Sequence, residues 1–291
     1  MWKTRYGEHE VVVRTGVGKP LSILDEIENP QEFYGDPLVD HMVSFGKTFE
    51  SLIGTYSGKF ATTTDIVILE HHYNEAVQII KLIDSLAQKL IADKRLYDDL
   101  HMAQEYFELA KAGYSLMRKH QSEFGITDGV PVSLERGGLV ATRLGLGLPK
   151  DSQIENEVRV VTKRVHPKNN PHDLAVTVKW RDVEKMKTSI DGQAIEVIDF
   201  VNPASGASTV AFLLAGETLG VQPRLVAHRS ISATKQGIMF NQLALADRGI
   251  KSSYYSLGIC SEMNELYYLS DPGRAVGDAG HILRHNLPKW Y

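Results

Sequence analysis

Residues 195–219 carry the strongest local instruction in this chain. Ile195-Glu196-Val197-Ile198-Asp199-Phe200-Val201 is an apolar run of strand length, residues 202–209 form a turn of small and polar side chains, and Val210 to Leu219 is helix-forming. A strand that passes into a helix through small residues leaves the first-turn backbone N–H groups open to an approaching ligand. Those donors and the positive end of the helix dipole together favour an anion. The hydroxyls of Ser205, Ser208 and Thr209 add donors, and no bulky residue blocks the approach between Ala204 and Ser208. A plain helix cap uses the same residues and is the alternative reading of this segment.

Similar alternation extends over the C-terminal part of the chain. Val130 to Leu134, Val158 to Arg164, Leu174 to Trp180, Leu225 to His228, Ser253 to Gly258 and Leu266 to Leu269 are strand-like. Leu139 to Leu148 and Ala233 to Asp247 are helix-like, and the Pro/Asn-rich join 166–171 marks a hairpin or flap. Strands alternating with helices predict an α/β fold with a mostly parallel sheet flanked by helices, and ligands at the carboxyl ends of the strands. Ahead of this, residues 1–35 hold one β-like run, Glu10 to Arg14. From about Thr64 the apolar residues follow helical spacing, and two long helices are expected over roughly 72–93 and 95–120. The expected organisation is a largely helical N-terminal extension over 1–124 and a core over 125–291, with a β-hairpin arm at about 157–181.

Bulk properties narrow the partners. With 291 residues, 43% of them hydrophobic, the chain can bury one large core, and its net charge of −4 gives no global attraction to nucleic acid or anionic lipid. The first residues, Met1-Trp2-Lys3-Thr4-Arg5, do not resemble a signal peptide, and no apolar run reaches transmembrane length. Cys260 is the sole cysteine, which excludes an internal disulfide and a multi-cysteine metal site. A cytoplasmic protein is expected. His71, His72 and Glu75 superficially suggest a metal cluster, but adjacent histidines point to different helix faces, so a surface role is expected.

Three polar loops fall at the expected carboxyl ends. Glu135-Arg136-Gly137-Gly138-Leu139 pairs a guanidinium fork with two glycines that let the backbone bend around an anion. The 197–209 cup is the second. The third runs from Asp271 to Gly280 and holds Asp278 among small residues, while Lys163 and Arg164 of the hairpin are able to fold over all three.

These residues, in this order, carry a resemblance. Residues 130–285 resemble a type I phosphoribosyltransferase, specifically the uracil phosphoribosyltransferase family. Leu134-Glu135-Arg136-Gly137-Gly138-Leu139 is similar to that family's I-L-R-A-G-L pyrophosphate loop, and Thr162-Lys163-Arg164 to the M-Y-R of its β-arm. Ala204-Ser205-Gly206-Ala207-Ser208 stands where the family has A-T-G-G-S, the loop for the 5-phosphate of phosphoribosyl pyrophosphate. Residues 259–265 follow its I-D-x-x-L-N-E, and residues 272–280 its P-G-L-G-D-A-G acceptor loop with Arg274-Ala275-Val276 in place of a single Leu. Asp36-Pro37-Leu38-Val39-Asp40-His41 is similar to the family's H-P-L-V-x-H.

The resemblance implies transfer of phosphoribose to a planar heterocycle, uracil or a relative, by a homodimer or higher homo-oligomer. Arg136, Arg164 and Asp278 would act at the reacting centre, and Gly137, Gly138, Asp199, Asn202, Ala204, Ser205, Gly206, Ala207, Ser208 and Thr209 would hold the donor. Tyr268, Leu269, Gly273, Gly277, Ala279 and Gly280 would read the base. Mg²⁺ would bind through substrate oxygens and water, with no direct protein ligand expected. Two departures stand out: Phe200 occupies the place of a family Asp, whose nearest counterpart is Asp199, and Cys260 replaces another acid. They keep open a non-catalytic sensor of a nucleotide or of phosphoribosyl pyrophosphate on the same fold, and also an enzyme with an unusual acceptor.

Overall fold

The computed structural model describes residues 2–6, 9–17, 39–46, 65–93, 95–96, 99–125, 129–135, 138–149, 152–165, 174–180, 182–201, 205–260 and 263. The strands are β1 (Trp2–Tyr6), β2 (His9–Val17), β3 (Val39–Gly46), β4 (Asp65–Ile68), β5 (Val130–Glu135), β6 (Val158–Val165), β7 (Leu174–Trp180), β8 (Ala194–Val201), β9 (Leu225–Thr234) and β10 (Lys251–Cys260). The helices are α1 (Asn74–Ala92), α2 (Leu100–Gln121), α3 (Gly138–Leu146), α4 (Val183–Ile190), α5 (Ala207–Thr218) and α6 (Lys235–Ala246).

Among the described residues the strands form one ten-stranded sheet of order β1-β2-β3-β7-β6-β5-β8-β9-β10-β4. From β6 across to β4 neighbouring strands run parallel, whereas β7, β3, β2 and β1 add antiparallel pairs at the other edge. The fold is α/β, a mostly parallel sheet flanked by helices. Strands β5 and β8 read as near-continuous apolar runs because both their faces are covered.

One face carries α1, α2 and α3. Ile83 and Leu86 of α1, Tyr106, Tyr114 and Met117 of α2, and Val140 and Leu144 of α3 bury against Ile198, Phe200, Ile231, Tyr255 and Leu257. The other face carries α4, α5 and α6, where Met186, Val210, Leu214 and Phe240 pack on Val132, Val197 and Val226. The antiparallel edge joins this second core: Val11, Val13, Val43 and Phe45 are buried in it, and the Phe45 and Phe240 rings meet edge-on at 6.1 Å.

The first part of the chain differs from its expected reading. Besides the expected run inside β2, it contributes β1, β3 and β4, so residues on both sides of 124 share one sheet. The helical pattern expected from about Thr64 opens instead with a strand, Ile66-Val67-Ile68 of β4, which pairs in parallel with Tyr254-Tyr255-Ser256. A run of three β-branched residues has no distinguishing period, and its pairing with β10 decides its state. The two long helices follow as α1 and α2, α2 opening on Asp99, whose Oδ1 accepts from the His101 and Met102 amides. The two strand-like runs of the expected hairpin are β6 and β7, antiparallel neighbours within the sheet. The strand expected at Leu266 to Leu269 lies outside the described residues.

Candidate functional site

Strands β5 and β8 are neighbours, yet the helices that follow them leave in opposite directions: α3 packs with α1 and α2, α5 with α4 and α6. Such a divergence opens a crevice at the carboxyl ends of the two strands. Gly138 begins α3 on one side, and a Cβ built there would stand 3.7 Å from the Ile198 carbonyl oxygen of β8. The amino terminus of α3 therefore rests against the end of β8.

On the other side, Gly206 precedes α5 with φ +80°, a left-handed conformation that glycine adopts at little cost. Ser205 is fully buried, and its Oγ accepts from the Ala207 amide at 3.3 Å. Gly206 has no side chain with which to cap the helix, and the cap of the first amide comes from Ser205 instead. Ser208 is half-buried, and Thr209 is buried one residue further on. A Cβ at Gly206 would come within 2.9 Å of Asn241 Oδ1 and 3.0 Å of the Gly237 carbonyl oxygen, so α6 forms the wall behind the cup.

Asp199 and Phe200 divide the two faces at the end of β8. Phe200 is buried in the α1/α2/α3 core, its ring centroid 5.7 Å from that of Tyr106 and 6.3 Å from that of Tyr114. Asp199 Oδ1 accepts from the Phe200 amide at 2.8 Å, and the Tyr114 hydroxyl donates to the Asp199 carbonyl at 2.7 Å. The α2 helix thus helps fix the backbone at the strand end. Burial, followed by the Asp199 charge, drives the Tyr114 phenol far above its ordinary pKa, so it stays a hydrogen-bond donor.

Cys260, ending β10, has its Sγ 2.8 Å from Ser232 Oγ. Burial pushes its thiol up, and the nearby Asp84 and Glu70 carboxylates push it further, which disfavours the nucleophilic thiolate. Glu70 is committed to the backbone, its Oε1 accepting from the Ile259 amide at 2.9 Å.

A second polar group anchors α3. Glu157 is buried and takes a two-pronged ion pair from Arg143, at 3.0 and 3.1 Å, together with Arg159 Nε at 2.9 Å and Ser133 Oγ at 2.5 Å. Burial alone would raise its carboxyl, but these bonds prevail and hold it below the ordinary range. The network fastens β5, α3 and the start of β6 to one another.

Lys163 and Arg164 lie near the carboxyl end of β6, paired with Thr177 and Val176 of β7, at the same end of the sheet as the cup. Gly138, Arg164, Asp199 and residues 205–209 therefore lie toward the same end of the sheet, the carboxyl ends of its parallel strands. Arg136, Gly137, Asn202, Ala204, Tyr268, Leu269, Gly273, Gly277, Asp278, Ala279 and Gly280 lie outside the described residues. His71, His72 and Glu75 are exposed, and the described residues contain no group of three or more His, Cys, Asp or Glu able to hold a metal ion. Asn241 is the residue that local motif reading misses. Its one signal is an Asn-Gln pair inside the apolar run Ile238-Met239-Phe240-Asn241-Gln242-Leu243.

Compared with protein-family models and with curated proteins, the sequence matches none. Among solved structures it is similar to a hypothetical protein from Neisseria gonorrhoeae with bound ppGpp, at 15% identity and a TM-score of 0.34, covering 55% of this chain and 81% of that one. It is also similar to the APRTase from Giardia lamblia complexed with 9-deazaadenine, at 13% identity and a TM-score of 0.30 over 51% and 80% of the two chains. The protein TT1426 from Thermus thermophilus aligns at 17% identity and a TM-score of 0.32 over 60% and 95%.

Proposed function

We propose that the protein is a phosphoribosyltransferase that moves 5-phosphoribose from phosphoribosyl pyrophosphate to a planar nitrogen heterocycle, uracil or a related base, and releases pyrophosphate. The observation that carries this reading is the β5/β8 crevice, where the amino termini of α3 and α5 lie on either side of the carboxyl ends of the two strands, an arrangement that suits a ligand bearing phosphate at both ends. The motif order of the sequence supports it.

In this reaction the anomeric C–O bond breaks while positive charge grows on the sugar and negative charge on the departing pyrophosphate. Arg136 and the Gly137 and Gly138 amides stabilise the departing group, and Arg164 closes on it from β6. Ser205 to Thr209 hold the 5-phosphate, Asp199 and Asp278 orient ribose hydroxyls, and residues 268–280 read the base through main-chain donors and acceptors. Mg²⁺ would be held through substrate oxygens and water, with the Asp199 carboxylate accepting from that water shell. When bound, it supplies charge neutralisation on pyrophosphate.

The test is pyrophosphate release from phosphoribosyl pyrophosphate and Mg²⁺ with a panel of bases. Release with one base and not others identifies the acceptor. Arg136→Ala is expected to lower the rate by about 10² to 10³, the usual effect of removing one such donor; an unchanged rate refutes the role of that loop. Phe200 favours a second reading. Buried against Tyr106 and Tyr114 in place of an acid, it leaves the ribose one carboxylate fewer, as suits a sensor that binds phosphoribosyl pyrophosphate without turnover. Tight binding with no release for any base would establish that alternative.

A further inference from the structure

Asn241 lies in the middle of α6 with 0% of its surface exposed, and neither Nδ2 nor Oδ1 has a hydrogen-bond partner among the described residues. A buried carboxamide that forms no side-chain hydrogen bond bears the full cost of leaving water, whereas a leucine of similar volume would bear none. Its position gives that cost a meaning. Oδ1 and Cγ lie 2.9 and 3.1 Å from the point a Cβ on Gly206 would occupy, so the amide presses directly on the residue that opens the cup. The missing side chain at Gly206 and the bare amide at Asn241 fit each other.

Asn241 also carries no bond that holds its present orientation. A half-turn about its last torsion exchanges oxygen for nitrogen within the same volume and breaks no hydrogen bond. With an anion in the cup, the favoured orientation is the one that presents the Nδ2 hydrogens. The side chain then adds a neutral donor to the backbone amides of the α5 amino terminus, from an element that the motif at 204–208 does not include. We propose that Asn241 is a binding residue of the anion cup, donating from Nδ2 to a phosphate-group oxygen of the ligand, and that its bare state in the free protein is the cost of that role. This inference rests on the reading of the 205–209 turn as a phosphate site.

The experiment is calorimetric titration of the full chain with phosphoribosyl pyrophosphate, and separately with inorganic phosphate, in wild type, Asn241→Leu and Asn241→Asp, alongside the melting temperature of each free protein. Wild type is expected to bind. Asn241→Leu is expected to melt no lower than wild type and to bind about ten- to a hundredfold more weakly, the range for one lost hydrogen bond to a charged group. Asn241→Asp keeps the shape but offers only acceptors and a like charge, so it is expected to bind more weakly still. Unchanged affinity in both variants, with wild type binding, overturns the role of Asn241 and leaves the phosphate site standing. A leucine variant that melts lower and binds as well as wild type assigns the amide to an internal water and also overturns the proposal. Failure of wild type to bind either probe overturns the phosphate site itself, and this proposal with it.

Discussion

Gly206 and His228 show what single residues contribute to stability in this fold. Gly206 holds φ +80°, and an added methyl would meet Asn241 Oδ1 at 2.9 Å and the Gly237 carbonyl at 3.0 Å. Gly206→Ala is therefore strained both by its backbone angle and by its neighbours, and about 1–3 kcal/mol of stability should be lost. Denaturant unfolding measures this; a loss below a few tenths of a kcal/mol would mean that α6 gives way easily. His228 is buried, stacks on Tyr254 with ring centroids 4.5 Å apart, and has its pKa lowered by burial from 6.5 to about 3. The unfolded chain gains a proton at this residue as pH falls below 6.5, while the folded chain does not until about pH 3. Stability is thus complete above pH 6.5 and drains as pH falls toward 3, with a slope of up to about 1.4 kcal/mol per pH unit from this group. His228→Phe keeps the stack and should flatten that slope, visible in urea midpoints across the range; an identical slope would assign the acid sensitivity to other groups such as His41, lowered by burial to about 4.

At the scale of elements, buried charge fastens the pieces around the crevice. Arg229 of β9 pairs with Glu196 of β8 at 2.5 Å, both essentially without exposure, and Arg229 Nη1 donates to the Gly145 carbonyl of α3 at 2.8 Å. Arg229→Met leaves Glu196 buried without its cation and should cost about 3–5 kcal/mol, whereas the double change Arg229→Met with Glu196→Leu should recover most of it. Thermal or chemical unfolding of the three variants decides; equal losses in single and double variants would show that the pair is not a unit. These elements differ in how legible they were. The helices α1, α2, α3, α5 and α6 and the hairpin β6–β7 could be read from periodicity and turn residues, because each is long enough to repeat its pattern. Strands β1, β3 and β4 were not legible: β3 and β4 take their state from neighbours distant in sequence, β7 and β10, and β1 is only five residues long. Nor was the helix α4, whose eight residues offer too few turns to show a period, although Asp182 caps it on the Lys185 amide at 2.8 Å.

Over the whole molecule, the sheet order puts loops far apart in sequence at one edge. The cup at 205–209 was legible because strand, turn and helix are contiguous there. Its wall was not: Asn241 arrives from α6 and Tyr114 from α2, and no local pattern says that Tyr114 donates to Asp199 or that Asn241 touches Gly206. The same edge explains why Phe200 matters, since a one-residue shift at the end of a strand exchanges a carboxylate at the crevice for a ring in the core. On the proposed reading, the amino termini of α3 and α5 share one ligand across the β5/β8 crevice. Crystals soaked with phosphoribosyl pyrophosphate and Mg²⁺ test it most directly. The 5-phosphate is expected at the turn 205–209 and the pyrophosphate at Gly138 on the far side of the crevice; density for the compound anywhere else on the protein would overturn the shared site.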